Sequence, residues 1–335
     1  MHPLRLCRAL PLLPVIALLL AACSTTTDKK SCAVSQPNFS LDDTLTLQSA
    51  CTLISEHLCS ILRSGDGDPA SLVSFNHILD STARAINTGL RDEKNRQTAL
   101  DSIRSVVYQS WKIRFDPADT LVETLLPHLV FRNRKGACLG VSLIILMLAE
   151  KLNCPVYGVM LPEHLFCRYD DGIKRINIEP NKDGYAHPDE YYLRLYPLEH
   201  RPWYSLANLD NKAVIGLLCH NAGVLCLKQK KYDAALLYCR ECLRRIPSFV
   251  EAKGNRALAY AQKGRLDTSL VIFEELFSAH PDLVNLAANY GTVAMAAKQY
   301  PKALDIFRKG LVYFPGDSAL MKNLKKVCVI LKIKA

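Results

Sequence analysis

Nowhere does the chain hold eighteen apolar residues in an uninterrupted row, the length of about one bilayer crossing, although apolar residues make up 49% of it. It also lacks a disulfide framework. Its 13 cysteines are an odd number, spread without repeated spacing through 335 residues, a chain too long to be a disulfide-stapled mini-protein. No cluster of histidine and cysteine has metal-ligand spacing beyond one Cys239-Arg240-Glu241-Cys242, and no motif calls for a cofactor or a metal. The net charge of +10 comes without a basic–aromatic signature. The basic excess is scattered over helical faces, so a nucleic-acid partner is not expected. What is present is the composition of a globular protein, with 22% charged residues and enough apolar material for a real core. At about 100–200 residues per domain, the length suggests two domains, or three.

The first 22 residues contain no acidic residue. Arg5 and Arg8 precede the apolar run Ala9–Leu20, which Pro11 and Pro14 interrupt. This reads as a secretory signal, to be set apart from the fold. Its end, Leu20-Ala21-Ala22-Cys23, resembles the lipobox of bacterial lipoproteins. That resemblance implies cleavage before Cys23, a lipid thioether on its sulfur and acylation of the new amino terminus. The mature chain then carries +8 and is anchored in the bacterial cell envelope, at the outer membrane if the source is Gram-negative. Residues 23–37 are polar and read as a tether.

The last third repeats itself. Pro247, Pro281 and Pro315 stand 34 residues apart, as do Ala235, Ser269 and Ala303, and Cys239, Phe273 and Phe307. Gly223, Ala257 and Gly291 supply a small residue at one phase. The period and the order of small, aromatic and proline positions resemble the tetratricopeptide repeat. Three units fit 216–249, 250–283 and 284–317, with 318–334 as a lysine-rich capping helix, inside a repeat region at 211–335. Each unit is expected to be two amphipathic helices that bury their apolar faces only against neighbours. The four cysteines of the first unit, Cys219, Cys226, Cys239 and Cys242, fall at packing phases and read as small hydrophobes.

Between them, helical periodicity is predicted at Leu41–Leu62, at Ala70–Leu90 and from about Asn95 to Trp111. No catalytic signature appears there, and His57, His77 and His128 read as surface or packing residues. A basic loop then ends at Gly136, and a helix apolar nearly all round starts at about Cys138. Strands are predicted at Val156–Met160, His164–Tyr169 and Ile173–Ile178, the last two joined by an Asp170-Asp171-Gly172 turn. A cysteine at a helix start, a histidine on a strand and a carboxylate ending the next strand suit a thiol nucleophile. The helix end and a nearby imidazolium favour the thiolate. The histidine handles the proton, and the third residue orients the imidazole. Asn177 and Glu179 share one face of the strand by alternation, so either fits the third place.

Gly136-Ala-Cys-Leu-Gly-Val-Ser142, Pro162-Glu-His-Leu-Phe-Cys-Arg-Tyr169 and Ile176-Asn-Ile-Glu-Pro180 resemble the transglutaminase-like superfamily, in a bacterial branch with a helical N-terminal part and C-terminal tetratricopeptide repeats. The resemblance implies an α+β, papain-like core with a small antiparallel sheet at 38–210, followed by an all-α solenoid. It implies Cys138 as nucleophile, His164 as general acid/base and Glu179 as orienting residue, with Asn177 the alternative. Relatives usually carry glycine where Glu163 stands. The implied chemistry is acyl transfer at an amide of a protein or peptide, resolved by water or by an amine. A scaffold that binds partners through the repeats and has lost activity is the rival expectation. The tyrosines between Tyr185 and Tyr204 are expected to wrap the core.

Overall fold

The computed structural model describes residues 39–334 apart from 63–68, 91–95, 118–120, 199–200 and 202. The signal segment, Cys23 and the tether lie outside the described residues.

The fold is organised around α6 (Cys138–Lys151), in which every residue from Cys138 to Ala149 is buried. A helix with no polar face needs cover on all sides. On one side it receives α1 (Leu47–Leu62), α2 (Pro69–Gly89) and α3 (Arg96–Arg104), each presenting an apolar stripe. On another it receives a three-stranded antiparallel sheet, β3 (Val156–Leu161), β4 (His164–Asp170) and β5 (Arg175–Ile178), in spatial order β3-β4-β5. The predicted third helix ends at Trp111 as expected but changes character on the way. After α3 the chain widens into a π-helical turn, Ser105–Ser110, closed by Trp111 N–H to Val106 O at 2.8 Å. The last strand also starts later than predicted. The Asp171 carboxylate accepts from the backbone N–H groups of Ile173 and Lys174 and draws them into the turn, leaving Ile173 exposed.

Ahead of α6 lie two short strands, β1 (Arg114–Phe115) and β2 (Lys135–Gly136), and two short helices, α4 (Val122–Leu125) and α5 (Pro127–Asn133). The parallel β1–β2 pair, Phe115 opposite Gly136, was not foreseen. It fixes the residues that lead into Cys138. After the sheet, α7 (Asp189–Leu195) crosses back over it.

The remainder is all helix: α8 (Asn211–Lys228), α9 (Tyr232–Arg245), α10 (Val250–Gln262), α11 (Leu266–Ala279), α12 (Val284–Ala296), α13 (Tyr300–Tyr313) and α14 (Ser318–Leu331). The helices α9, α11 and α13 begin 34 residues apart, and so do α10, α12 and α14. Gly291 shows what the small phase does. A Cβ there would lie 2.3 Å from the Phe307 ring, so α12 and α13 approach this closely only without one. None of the ten described cysteines is in a disulfide and all are buried, including the four of the first unit.

Two polar ties fasten the helical region to the core. Glu150, near the end of α6, accepts from Leu47 N–H at the start of α1 (3.0 Å) and from Asn211 Nδ2 at the start of α8 (2.7 Å). Arg244 and Arg245 of α9 both donate to the carbonyl of Leu41 (2.5 and 3.0 Å). Arg245 is also paired with buried Glu241 at 3.0 Å. Breaking a buried pair costs more than the pair contributes, so these ties set orientation.

Two expectations follow. Glu150→Ala leaves Leu47 N–H and the Asn211 amide without this acceptor, and we expect a loss of about 1–3 kcal/mol in denaturant unfolding. His128 and His220 are buried, and burial lowers each to about 4. A histidine held neutral in the fold contributes stability that is present above its ordinary pKa of about 6.5 and is lost as pH falls. Thermal midpoints should therefore drop between pH 6.5 and about 4, and His128→Gln with His220→Gln should flatten that drop.

Candidate active site

Cys138 opens α6, with Ala137 as the extended residue before it. The turn is held by one carbonyl. Thr124 O accepts from Ala137 N–H at 2.9 Å, and the same oxygen would lie 2.3 Å from a Cβ at Gly140. Glycine at 140 therefore lets the α4 backbone press against the first turn of α6 and fix the cysteine's position. The first turn also places the thiol at the positive end of the helix dipole.

His164 begins β4. It follows a two-residue turn, Pro162-Glu163, with Leu161 directly opposite it on β3. Glu163 has φ +58°. That is the left-handed region, where glycine is at home and other residues pay about 1–2 kcal/mol. The departure from glycine noted in the sequence thus falls on a backbone position, and the groups that shift His164 are Glu179 and Cys138.

Glu179 follows β5. One carboxylate oxygen, Oε2, lies 2.9 Å from His164 Nε2. The other, Oε1, accepts from Asn181 N–H at 2.9 Å and starts a 3-10 turn. With both oxygens engaged, the carboxylate is fixed in orientation. The Cys138 thiol lies beside the imidazole and, like the carboxylate, favours its charged form. The structure thus brings Cys138, His164 and Glu179 together at 5%, 2% and 3% exposure. Burial alone would lower His164, but the carboxylate and the thiol outweigh it and hold the ring up at about 10. The neighbouring carboxylate thus favours the charged form of the imidazole. Burial raises four other core thiols, with Cys167, Cys219, Cys226 and Cys239 pushed up to about 12.

Asn177 has a different task. It accepts from Arg168 Nε at 2.7 Å and donates to His187 O and Asp189 Oδ1, both at 2.8 Å. Arg168, 1% exposed, also reaches Asp189 at 2.5 Å and the carbonyl of Leu206. The arginine, asparagine and aspartate clamp the start of α7 onto the sheet. That helix then carries Tyr192 to the Phe166 ring (3.9 Å between centroids), and Tyr196 follows it to stack on His164 at 4.8 Å and 8°. The tyrosine wrap therefore roofs the imidazole. Arg168 and Asp189 were not singled out in the sequence. The available signal was an arginine within the otherwise apolar strand His164–Tyr169.

Comparison with known proteins agrees with this architecture. A model of the transglutaminase-like superfamily matches residues 74–202, and a tetratricopeptide-repeat model matches residues 218–249. Residues 74–202 are thus a transglutaminase-like domain, and a tetratricopeptide repeat follows it. The chain is 30% identical over 102 residues to Hsp70-Hsp90 organizing protein 1 of Glycine max, an alignment covering 30% of this chain and 18% of that one. It is 29% identical over 102 residues to the Hsp70-Hsp90 organizing protein of Triticum aestivum, covering 30% and 17%. The chain thus spans less than a fifth of the length of these curated relatives. Among solved structures, the first tetratricopeptide-repeat domain of Spaghetti bound to an HSP90 peptide matches at 19% identity and a TM-score of 0.33, over 35% of this chain and 95% of that one. A MamA structure matches at 16% and 0.31, over 35% and 69%.

Glu179→Gln removes the charge that holds His164 up while leaving the burial that lowers it. The ring pKa, read by NMR, should fall from about 10 toward the ordinary value of about 6.5. A raised histidine contributes stability that is fully present below about pH 6.5 and is lost as pH rises through about 10. The native chain should therefore lose stability across that alkaline window, and the variant should not. Gly140→Ala should cost about 1–3 kcal/mol by overpacking against Thr124.

Proposed function

We propose that the chain is a lipoprotein, anchored in a bacterial cell envelope through Cys23, that performs cysteine-dependent acyl transfer or hydrolysis at an amide of a protein or peptide. Its repeats serve as a platform for a protein partner. The observation that carries the enzymatic reading is the buried His164–Glu179 contact at 2.9 Å beside a thiol at a helix start. In that reaction the Cys138 sulfur attacks the amide carbonyl and His164 protonates the departing amine. An acyl-enzyme forms and is resolved by water or by a second amine, for which the imidazole removes a proton. The Cys138 backbone N–H is the proposed oxyanion donor. Similarity to organizing proteins and to a repeat domain bound to an HSP90 peptide supports a protein or peptide partner. The sequence Leu20-Ala21-Ala22-Cys23 supports the lipid anchor.

The closed state of the site favours a second reading, a non-catalytic scaffold. The three side chains are nearly inaccessible and Tyr196 lies over the imidazole. One measurement separates the two. A small electrophile at pH 6–7, followed by peptide mass mapping, should modify Cys138 ahead of the nine other described cysteines. Slow and equal modification of all ten sinks the enzymatic reading. Independently, Cys23→Ala should shift the chain from the membrane to the soluble fraction.

A further inference from the structure

The helix that closes the repeat array, α14, has two unlike faces. One packs on α12 and α13 through Leu320, Leu324, Val327 and Leu331. The outermost helix of a stacked array ordinarily turns a polar face to water, and the outer face of α14 departs from that rule. Val329 is 77% exposed there, and Met321, Ile330 and Ile333 are 40%, 46% and 43% exposed. After the last turn Lys332 takes φ +56°, and Ile333 N–H returns to Cys328 O at 3.0 Å. That bond keeps Ile333 at the helix end instead of letting the chain run away from it.

Lysine fills the rest of that face. Lys326, Lys325 and Lys322 stand three, four and seven positions before Val329, the spacings that put helix residues on one side. Lys332 and Lys334 follow, and no acidic residue occurs after Asp317. Asp317 itself is engaged at the helix start, where its Oδ1 accepts from Leu320 N–H at 2.8 Å. Among the described residues, no carboxylate lies within ion-pair distance of these lysines. Charge of one sign interleaved with aliphatic side chains matches an anionic lipid surface. Ammonium groups stay at the phosphates while their stems lie flat, and the apolar side chains pass between the head groups. A second copy of the chain brings like charges face to face, which is costly.

We propose that the outer face of α14 docks on a bilayer containing anionic phospholipid, with Lys322, Lys325 and Lys326 at the head-group phosphates and Val329 and Ile333 below them. The contact goes beyond the lipid anchor proposed at Cys23 and is made by a different part of the chain. It holds the repeat array itself at the membrane. An acyl chain and a basic patch reinforce each other on such a surface.

The test uses the chain from residue 23 onward, which keeps every described residue, with Cys23→Ala so that it bears no lipid. Its co-sedimentation is measured with vesicles of phosphatidylcholine and with vesicles of equal parts phosphatidylcholine and phosphatidylglycerol. Binding to the anionic vesicles should be saturable, should weaken with added salt, and should exceed binding to the neutral vesicles at least tenfold. Lys322→Gln with Lys325→Gln and Lys326→Gln should weaken it at least tenfold. Val329→Asn should weaken it with the charge intact. Both variants alter the outer face alone, so the unfolding midpoint should hold. Equal binding to neutral and anionic vesicles, or unchanged binding in either variant, overturns the proposal. Self-association without vesicles that either variant abolishes assigns the face to a second copy and also overturns it. None of these outcomes touches the anchor, which Cys23→Ala decides by membrane fractionation after a high-salt wash.

Discussion

A helix without a polar face is the constraint from which the rest of this molecule follows. From Cys138 to Ala149 each residue of α6 is buried, so helices must cover it on one side and a sheet on the other. That cover has a chemical result. The sheet brings the beginning of β4 and the end of β5 over the start of α6, and there the thiol, the imidazole and the carboxylate meet. The same burial that stabilises the core withdraws the three groups from water into surroundings of lower dielectric, in which a charge pair interacts more strongly. Burial by itself disfavours a charged imidazole, and it is the Glu179 carboxylate 2.9 Å from the ring that offsets that cost.

The surroundings of the site are held by polar contacts of few kinds, each answering a local cost. The Thr124 carbonyl fixes the turn before Cys138, the Asn181 N–H fixes Glu179, and Arg168 fixes α7 through Asn177 and Asp189. The last of these places tyrosines above the imidazole. With Tyr196 stacked on the imidazole, the segment that follows α7 closes this side of the site.

Much of this was legible in the chain. The 34-residue period named the repeat region because each unit must bury the same faces, and the helix starts follow that period. The order Cys138, His164, Glu179 was legible because strand alternation and a tight hairpin leave few ways to arrange three neighbours. Other features were not. The π-turn after α3, the β1–β2 pair and the late start of β5 depend on hydrogen bonds that no periodicity reports. Glu163 stood out as a missing glycine, and only its positive φ gave the reason. The buried cysteines of the first repeat were readable from phase, whereas the ties made by Glu150 and Arg244 join residues about a hundred or two hundred positions apart.

By itself the sequence determined the order of the candidate site residues and which faces must be buried, because composition and spacing are local properties of the chain. The tertiary structure alone decided between Asn177 and Glu179 as the imidazole's neighbour. Alternation assigns both to one face, but they differ in reach. Glu179, one step past the strand, turns toward His164, whereas Asn177 meets the guanidinium of Arg168 opposite it across the sheet. Side-chain alternation fixes a face, and only the packing of a second element against that face fixes the partner.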